Sequence, residues 1–461
     1  MNYCNLSIIS CFTLLILCCS PEKPSAEMEP KAPFQLMTVD PGHFHAWLLQ
    51  KQMIEDMDPT SYVFAPDGPD VQDYLDRVES FNTRDENPTS WNQIVYTGPD
   101  FFEKMIEQQP GNIMAVSGNN AKKTEYINAA IEAGIHVLAD KPMAINSDDF
   151  ELLKASFELA KQNDVVLYDI MTERHEVTIM TQRALSQIPD LFGELETGTA
   201  ENPAITKESV HHFSKVVAGQ QIKRPAWFFD ITQQGAGMVD IMTHLVDMIQ
   251  WECYPDQIID YEKDIDILSA KSWNTELTPS KFNQVTQLTE YPDFLQKDII
   301  NDSILSVNSN GEIIYTLKGT HAKTSVIWNY EAPEGGKDTH YSIMRGTKAN
   351  LIISSRQDED FKATLYVEKV GEASDEDFEA SLEAALSDLN PTIPGLTAEK
   401  DGARFKIIIP DVLKVGHEAH FIQVTNKYLN YIKSGQMPDW EVPNMISKYY
   451  TTTKAFEMSR E

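Results

Sequence analysis

The chain is poor in cysteine, poor in positive charge and without a long apolar run. Its 461 residues include five cysteines, and four of them fall at positions 4, 11, 18 and 19. Only Cys253 is left for the body, so no internal disulfide can form there, and no Cys-x-x-Cys metal motif exists. Lys and Arg total 38 against 70 Asp and Glu, a formal net charge of −32. A surface so acidic repels phosphate backbones and anionic lipid, which excludes nucleic acid as an expected partner. The main early apolar stretch, Ile8 to Leu17, is too short for a stable membrane-spanning helix. With 42% hydrophobic and 23% charged residues, the remainder has a globular composition. Its length suggests two domains rather than one.

The start of the chain reads as a targeting segment. The apolar run ends at Cys18-Cys19, and a polar stretch containing Pro21 and Pro24 follows. This resembles a bacterial lipoprotein signal, with residues 1–18 as the signal peptide, Cys19 as the lipidated residue and 19–33 as a tether. It implies a periplasmic or outer-membrane-associated lipoprotein held by a lipid anchor. No Arg-Arg pair occurs in this leader, so export of a prefolded, loaded protein by the twin-Arg route is not expected.

Past the tether, short apolar strands alternate with helical patterns. Phe34–Val39, Ser61–Ala65, Asn112–Val116, Ile135–Ala139 and Val165–Tyr168 read as strands, and Ala121–Ala133 and Phe150–Lys161 as helices. This predicts βαβ units and a parallel, Rossmann-like sheet over 34–168. From about residue 190 the segments become strand after strand, including Glu194–Glu201, Ile304–Ser309 and Glu312–Lys318. Asn310-Gly311 reads as the turn of a hairpin between the last two. Residues 169–461 are therefore expected to form an α+β domain with a large, mostly antiparallel sheet, serving substrate binding and dimerisation in a homo-oligomer.

Three segments carry a family resemblance. Ala133-Gly134-Ile135-His136-Val137-Leu138-Ala139-Asp140-Lys141-Pro142 resembles the "aGkHVlcEKP" signature of the Gfo/Idh/MocA oxidoreductases, with Asp140 in place of Glu. Gly235-Ala236-Gly237-Met238-Val239-Asp240-Ile241-Met242-Thr243-His244 resembles the family's "GGGxllDxgxH" segment. Arg345-Gly346-Thr347-Lys348-Ala349-Asn350-Leu351 resembles its sheet turn. The resemblance implies an NAD(P)-dependent oxidoreductase acting on a secondary hydroxyl or keto group of a sugar, glycoside or polyol. It implies Lys141, Asp240 and His244 as the catalytic set, with His244 as proton acceptor. NAD-assisted glycosidic cleavage by transient oxidation and a non-catalytic carbohydrate-binding protein remain open alternatives.

The chemistry of these residue types agrees. Oxidising an alcohol needs a base for its proton, and a lysine can hold the developing alkoxide. Asp240 and His244 lie four apart, which would put both on one helix face.

The expected cofactor contacts are Asp40, Gly42, His43, His45, Asp67, Asn119 and Lys141. Here the frame departs from Gly-x-Gly-x-x-Gly: Asp40-Pro41-Gly42-His43-Phe44-His45 keeps only the middle glycine. His43 and His45 either donate to phosphate or pack on the Phe44–Trp47 turn. Asp67 is placed either to accept from an adenosine ribose, favouring NAD over NADP, or simply to make a turn. A secreted enzyme should also hold its cofactor tightly. Tyr168, Arg174 and Trp227 are the expected substrate contacts. His211-His212 are adjacent, so they should not face one site, and no metal is expected.

Overall fold

The computed structural model describes residues 33–217 and 220–461. The signal peptide, Cys19 and nearly all of the tether lie outside the described residues. Among those described, no helix is long and apolar enough to cross a membrane.

The first domain is a doubly wound sheet. In chain order it runs β1 (Leu36–Val39), α1 (His45–Leu48), β2 (Thr60–Ala65), α2 (Pro69–Thr83), β3 (Asn92–Thr97), α3 (Phe101–Gln108), β4 (Ile113–Val116), α4 (Lys123–Glu132), β5 (His136–Asp140), α5 (Ser147–Gln162) and β6 (Leu167–Ile170). The sheet order is β3-β2-β1-β4-β5-β6, all pairs parallel. β1 and β4 are buried at every residue, as strands covered on both faces must be. α4 ends where Gly134 takes a positive φ of 76°. Asn146 caps α5 by accepting from the Asp149 amide. β3 has a largely exposed, mixed pattern, which is why periodicity missed it. α1 is one turn long.

The second domain begins with a 3-10 turn at Thr172–His175 and α6 (Val177–Ser186). β7 (Ile205–Ser214) follows, then the short strands β8 (Val216–Val217) and β9 (Gln220–Gln221), α7 (Met242–Cys253), α8 (Tyr261–Asp264), β10 (Ile265–Leu277) and α9 (Pro279–Thr286). Next come β11 (Ile299–Ile300), β12 (Ile304–Leu317), β13 (Thr320–Glu331), β14 (Thr339–Arg345), β15 (Ala349–Ser354), β16 (Thr364–Lys369), α10 (Asp375–Leu389), β17 (Thr397–Asp401), β18 (Arg404–Ile408), α11 (His417–Ser434) and α12 (Glu441–Met458). The large sheet has ten strands, ordered β10-β12-β13-β7-β14-β15-β16-β18-β17 with β11 beside β12. It is antiparallel except where β7 lies parallel to β13.

Two local expectations fail here. Asn310-Gly311 is not a turn but the middle of β12, paired with Trp273 and Ser272 of β10. The Asn310 side chain donates to Trp273 O and accepts from the Trp328 amide. Gly311 leaves room for Met238, whose side chain a Cβ would meet at 3.0 Å. The real hairpin turn is Lys318-Gly319, both at positive φ (49° and 82°), as a two-residue turn requires. Residues 194–201 contain only isolated bridges, Leu195 to Gly346 and Gly198 to Pro203. The strand beside them is β7, whose polar residues hid it.

The last two helices return to the first domain. Phe421, Tyr428, Met445 and Tyr449 are buried in its core, each such side chain contributing about 1.5–3 kcal/mol. A buried ionic network joins the same elements. Arg174 clamps Asp247 of α7 with two hydrogen bonds (2.7 and 2.6 Å) and donates to Glu441 of α12 at 2.9 Å. Lys448 of α12 lies 2.6 Å from Asp169 and 2.8 Å from Asp247. Lys427 of α11 donates to Glu441 at 2.8 Å. Three cations thus face three carboxylates. Replacing Lys448 by Met leaves Asp169 without a lysine and Asp247 with Arg174 alone. Loss of one buried partner costs about 3–5 kcal/mol, so Lys448→Met should lower the urea midpoint sharply. An unchanged midpoint would show that the network is not under this constraint.

Candidate active site

Lys141 follows β5 at its carboxyl end, where parallel sheets of this type bind ligands. Its Nζ is 2.6 Å from Asp240 Oδ1, and both side chains are only 6% exposed. Burial opposes the lysine's charge, but Asp240 and Asp140 outweigh it and hold its pKa above the ordinary value. Asp240 is held below the carboxylate range in spite of burial, by Lys141 and by a hydrogen bond from Gln234. The glycine-rich segment before Asp240 exists for packing. A Cβ on Gly237 would lie 1.8 Å from Ser309 O, so only glycine lets this turn press against β12.

His244 lies on α7, but Asp240 precedes that helix and is not its partner. The shared helix face expected from their spacing is therefore corrected: Asp240 turns to Lys141. Glu173, from the 3-10 turn after β6, takes the place beside His244, with Oε2 2.6 Å from Nδ1 at an angle short of a hydrogen bond. Burial opposes the charge of Glu173, but His244 outweighs it and holds the carboxyl well below the ordinary range. Glu173 is within electrostatic reach of Lys141. His417 of α11 is near both, and His211 and His340 of the large sheet complete a polar surround.

The remaining expected residues are placed differently. Tyr168 donates to Glu441 at 3.2 Å, and Arg174 is spent on Asp247 and Glu441, so both belong to the ionic network. Trp227 is buried over the β1–α1 turn and donates Nε1–H to Asp70 at 2.8 Å. Asn119 donates to Gln233 at 2.7 Å. Asp67 is exposed and has no hydrogen bond among the described residues. The adjacent His211 and His212 both reach Asp338, at 3.4 and 2.9 Å, which corrects the expectation that they face apart.

The β1–α1 turn is built unlike a pyrophosphate cradle. The amides of Gly42 and His43, which would face phosphate, both donate to Ser117 O at 3.2 Å. A Cβ on Gly42 would meet Asp70 Oδ2 and Trp227 Cζ2 at 3.1 Å each. Asp40 has a positive φ of 46°, and its pKa is pushed up to about 6 by burial and by neighbouring Asp70. α1 has a single turn and hence little dipole to offer an anion. His43 and His45 turn towards Asp140. His45 Nδ1 is 3.0 Å from both carboxylate oxygens, and His43 Nδ1 is 3.2 Å from Oδ2. Ser117 Oγ donates to Oδ2 at 2.8 Å. These residues do not fit the family's grip on a dinucleotide pyrophosphate.

A doubly wound domain with a buried Lys–Asp pair at its carboxyl edge, joined to a large open antiparallel sheet, defines a two-domain oxidoreductase architecture. Family comparison agrees. Residues 65–169 match the model "Oxidoreductase family, NAD-binding Rossmann fold", and residues 181–460 match "Putative oxidoreductase C terminal domain". The chain belongs to the Gfo/Idh/MocA oxidoreductase family. The first match begins beyond the β1–α1 turn. The crystal structure of "a putative oxidoreductase from Parabacteroides merdae ATCC 43184" is 52% identical, covering 93% of this chain and 98% of that one at TM-score 0.91. Levoglucosan dehydrogenase in complex with NADH and levoglucosan is 11% identical (93% and 97% covered, TM-score 0.58). KijD10, a 3-ketoreductase from Actinomadura kijaniata, is 14% identical (92% and 96% covered, TM-score 0.54). The last two share the fold alone. No curated protein gives a significant match.

Asp40 yields a test of this electrostatic picture. An acid whose folded pKa is raised destabilises the fold above that pKa and is neutral in effect below the unfolded value. The cost therefore grows between pH 4 and 6, up to about 3 kcal/mol. Asparagine tolerates the same backbone conformation. Asp40→Asn should stabilise the protein at pH 7.5 and leave it unchanged at pH 3.5, measured by urea unfolding. Equal effects at both pH values would contradict the burial of an ionised carboxylate.

Proposed function

We propose that this chain oxidises a secondary hydroxyl, or reduces the corresponding ketone, of a sugar, glycoside or polyol, with a nicotinamide dinucleotide, when bound, accepting or supplying the hydride. The observation that carries the reading is the buried Lys141–Asp240 pair, 2.6 Å apart at the carboxyl end of β5, with the His244–Glu173 pair within reach. Lys141 donates to the substrate oxygen and stabilises the negative charge that develops there. Asp240 keeps the ammonium charged and fixed. His244 takes the hydroxyl proton, and Glu173 stabilises the imidazolium that results. In the reverse direction the same groups deliver the proton. The imidazoles of His340 and His417 suit a substrate with many hydroxyls, because a neutral ring carries a donor and an acceptor, whereas His211 is held by Ser209 and Asp338. Arg174 and Tyr168 then position the site rather than touch substrate.

The closed β1–α1 turn favours a second reading, a carbohydrate-binding protein of the same fold that holds no nucleotide. A dinucleotide, NAD in preference to NADP, requires Trp227 to leave Gly42 first. Mass spectrometry of what the purified protein releases on denaturation separates the two readings. The catalytic reading predicts that Lys141→Ala and His244→Ala each lower kcat about a hundredfold or more on a substrate the parent turns over. Circular dichroism of both variants should match the parent. Near-normal turnover in both would remove these residues from catalysis.

We further propose that the protein is a lipoprotein of the bacterial periplasm or outer membrane, anchored through Cys19. The leader's apolar run, the cysteine at its end and the polar tether support this. Cys19→Ser should move the protein from the membrane to the soluble fraction and abolish labelling by a fatty-acid probe. Continued membrane association with full labelling would place the anchor elsewhere.

A further inference from the structure

We infer that the β1–α1 turn and the end of β5 form a binding site for a divalent transition-metal cation, with His43, His45 and Asp140 as ligands. The three contribute one atom each, all within 4.8 Å of one another. His45 Nδ1 and His43 Nδ1 lie 3.0 and 3.2 Å from Asp140 Oδ2. Zinc–nitrogen and zinc–oxygen bonds of about 2.0–2.2 Å put neighbouring ligand atoms roughly 3 Å or slightly more apart. The observed spacings therefore approximate the edges of a coordination polyhedron.

Hydrogen bonding alone leaves this cluster incomplete. His45 has a hydrogen bond to Asp140, but the Nδ1 of His43 is buried and has no hydrogen-bond partner despite its approach to Oδ2. A buried ring nitrogen without a partner is costly, and a shared cation would satisfy it. Lys123 donates to the Asp140 carbonyl oxygen rather than to its carboxylate. Ser117 binds Oδ2 at 2.8 Å and so orients the carboxylate from outside the ligand set.

Two histidines and one carboxylate suit zinc, iron or another first-row divalent ion, and they leave coordination positions open. His43 is also within electrostatic reach of Lys141 and Asp240. An oxygen of a substrate or a water could complete the coordination.

The test uses the purified full chain, stripped with chelator and titrated with Co2+ alone. Uptake of one Co2+ per chain, with visible absorption bands and displacement by Zn2+, is expected. His43→Gln and Asp140→Asn should each weaken binding by about a hundredfold or more, at least what loss of an outer-shell partner costs. His43 is the less buried of the two, and the thermal transition of metal-free H43Q should match that of the metal-free parent. Zn2+ should raise the parent's Tm and leave that of H43Q unmoved. His211→Gln, in the other histidine pair, should leave Co2+ binding unchanged. No uptake by the parent, equal uptake by H43Q, or loss in H211Q instead would each overturn the assignment. Metal content is read without turnover, so the outcome is independent of the oxidoreductase reading.

Discussion

The clamp between Arg174 and Asp247 is the contact on which the rest of the site depends. Arg174 sits in the turn leaving the first domain, and Asp247 sits on α7 of the second. Glu173 immediately precedes Arg174, and His244 is one helical turn before Asp247. Fixing the clamp therefore brings Glu173 and His244 to 2.6 Å. Neither charge could be buried alone, because an isolated ion inside a protein costs several kcal/mol. Asp169, Glu441, Lys427 and Lys448 share that requirement and recruit α11 and α12 to it. The carboxyl-terminal helices are thus part of the frame of the candidate site, although they lie more than 240 residues from Glu173 in sequence.

The same constraint redraws the domain boundary. The end of β6 at Ile170, two residues past the expected boundary, separates the two sheets. It does not separate two cores, because residues of α11 and α12 fill the first one. Helical periodicity reveals that a helix has a buried face. It does not reveal which of two sheets that face covers, and charged residues such as Lys448, fully buried here, look like solvated ones.

Legibility followed the length scale of each interaction. The parallel sheet was readable because buried strands are apolar and helix caps are local: Gly134 ends α4 and nothing distant is needed. Lys141, Asp240 and His244 were marked as candidates by local motifs. Their pairing was not, because a spacing of four implies a shared face only if both residues are in the helix, and Asp240 precedes it. Asn310-Gly311 failed for a similar reason. The dipeptide favours a turn locally, but Met238 needs the space above Gly311 and Trp328 needs the Asn310 carbonyl. β7 was missed because Lys207, His211 and His212 interrupt its apolar pattern, and their partners lie far along the chain: Glu252 for Lys207 and Asp338 for the two histidines.

The two departures from the family pattern are best understood as one. The sequence has Asp140 where Glu is usual and His45 where the third glycine is usual. Taken separately, each is a local oddity. In the structure they touch, with His45 Nδ1 equidistant from the two Asp140 oxygens at 3.0 Å. A glutamate is longer by one methylene and would drive its carboxylate into the space held by the imidazoles of His43 and His45. A glycine at 45 would leave the shorter carboxylate with the His43 ring alone. α1, which His45 opens, ends after one turn. The amides of Gly42 and His43 then find Ser117 rather than an anion. The two substitutions together change what the turn can hold, while Lys141, the residue after Asp140, keeps its partner and its place.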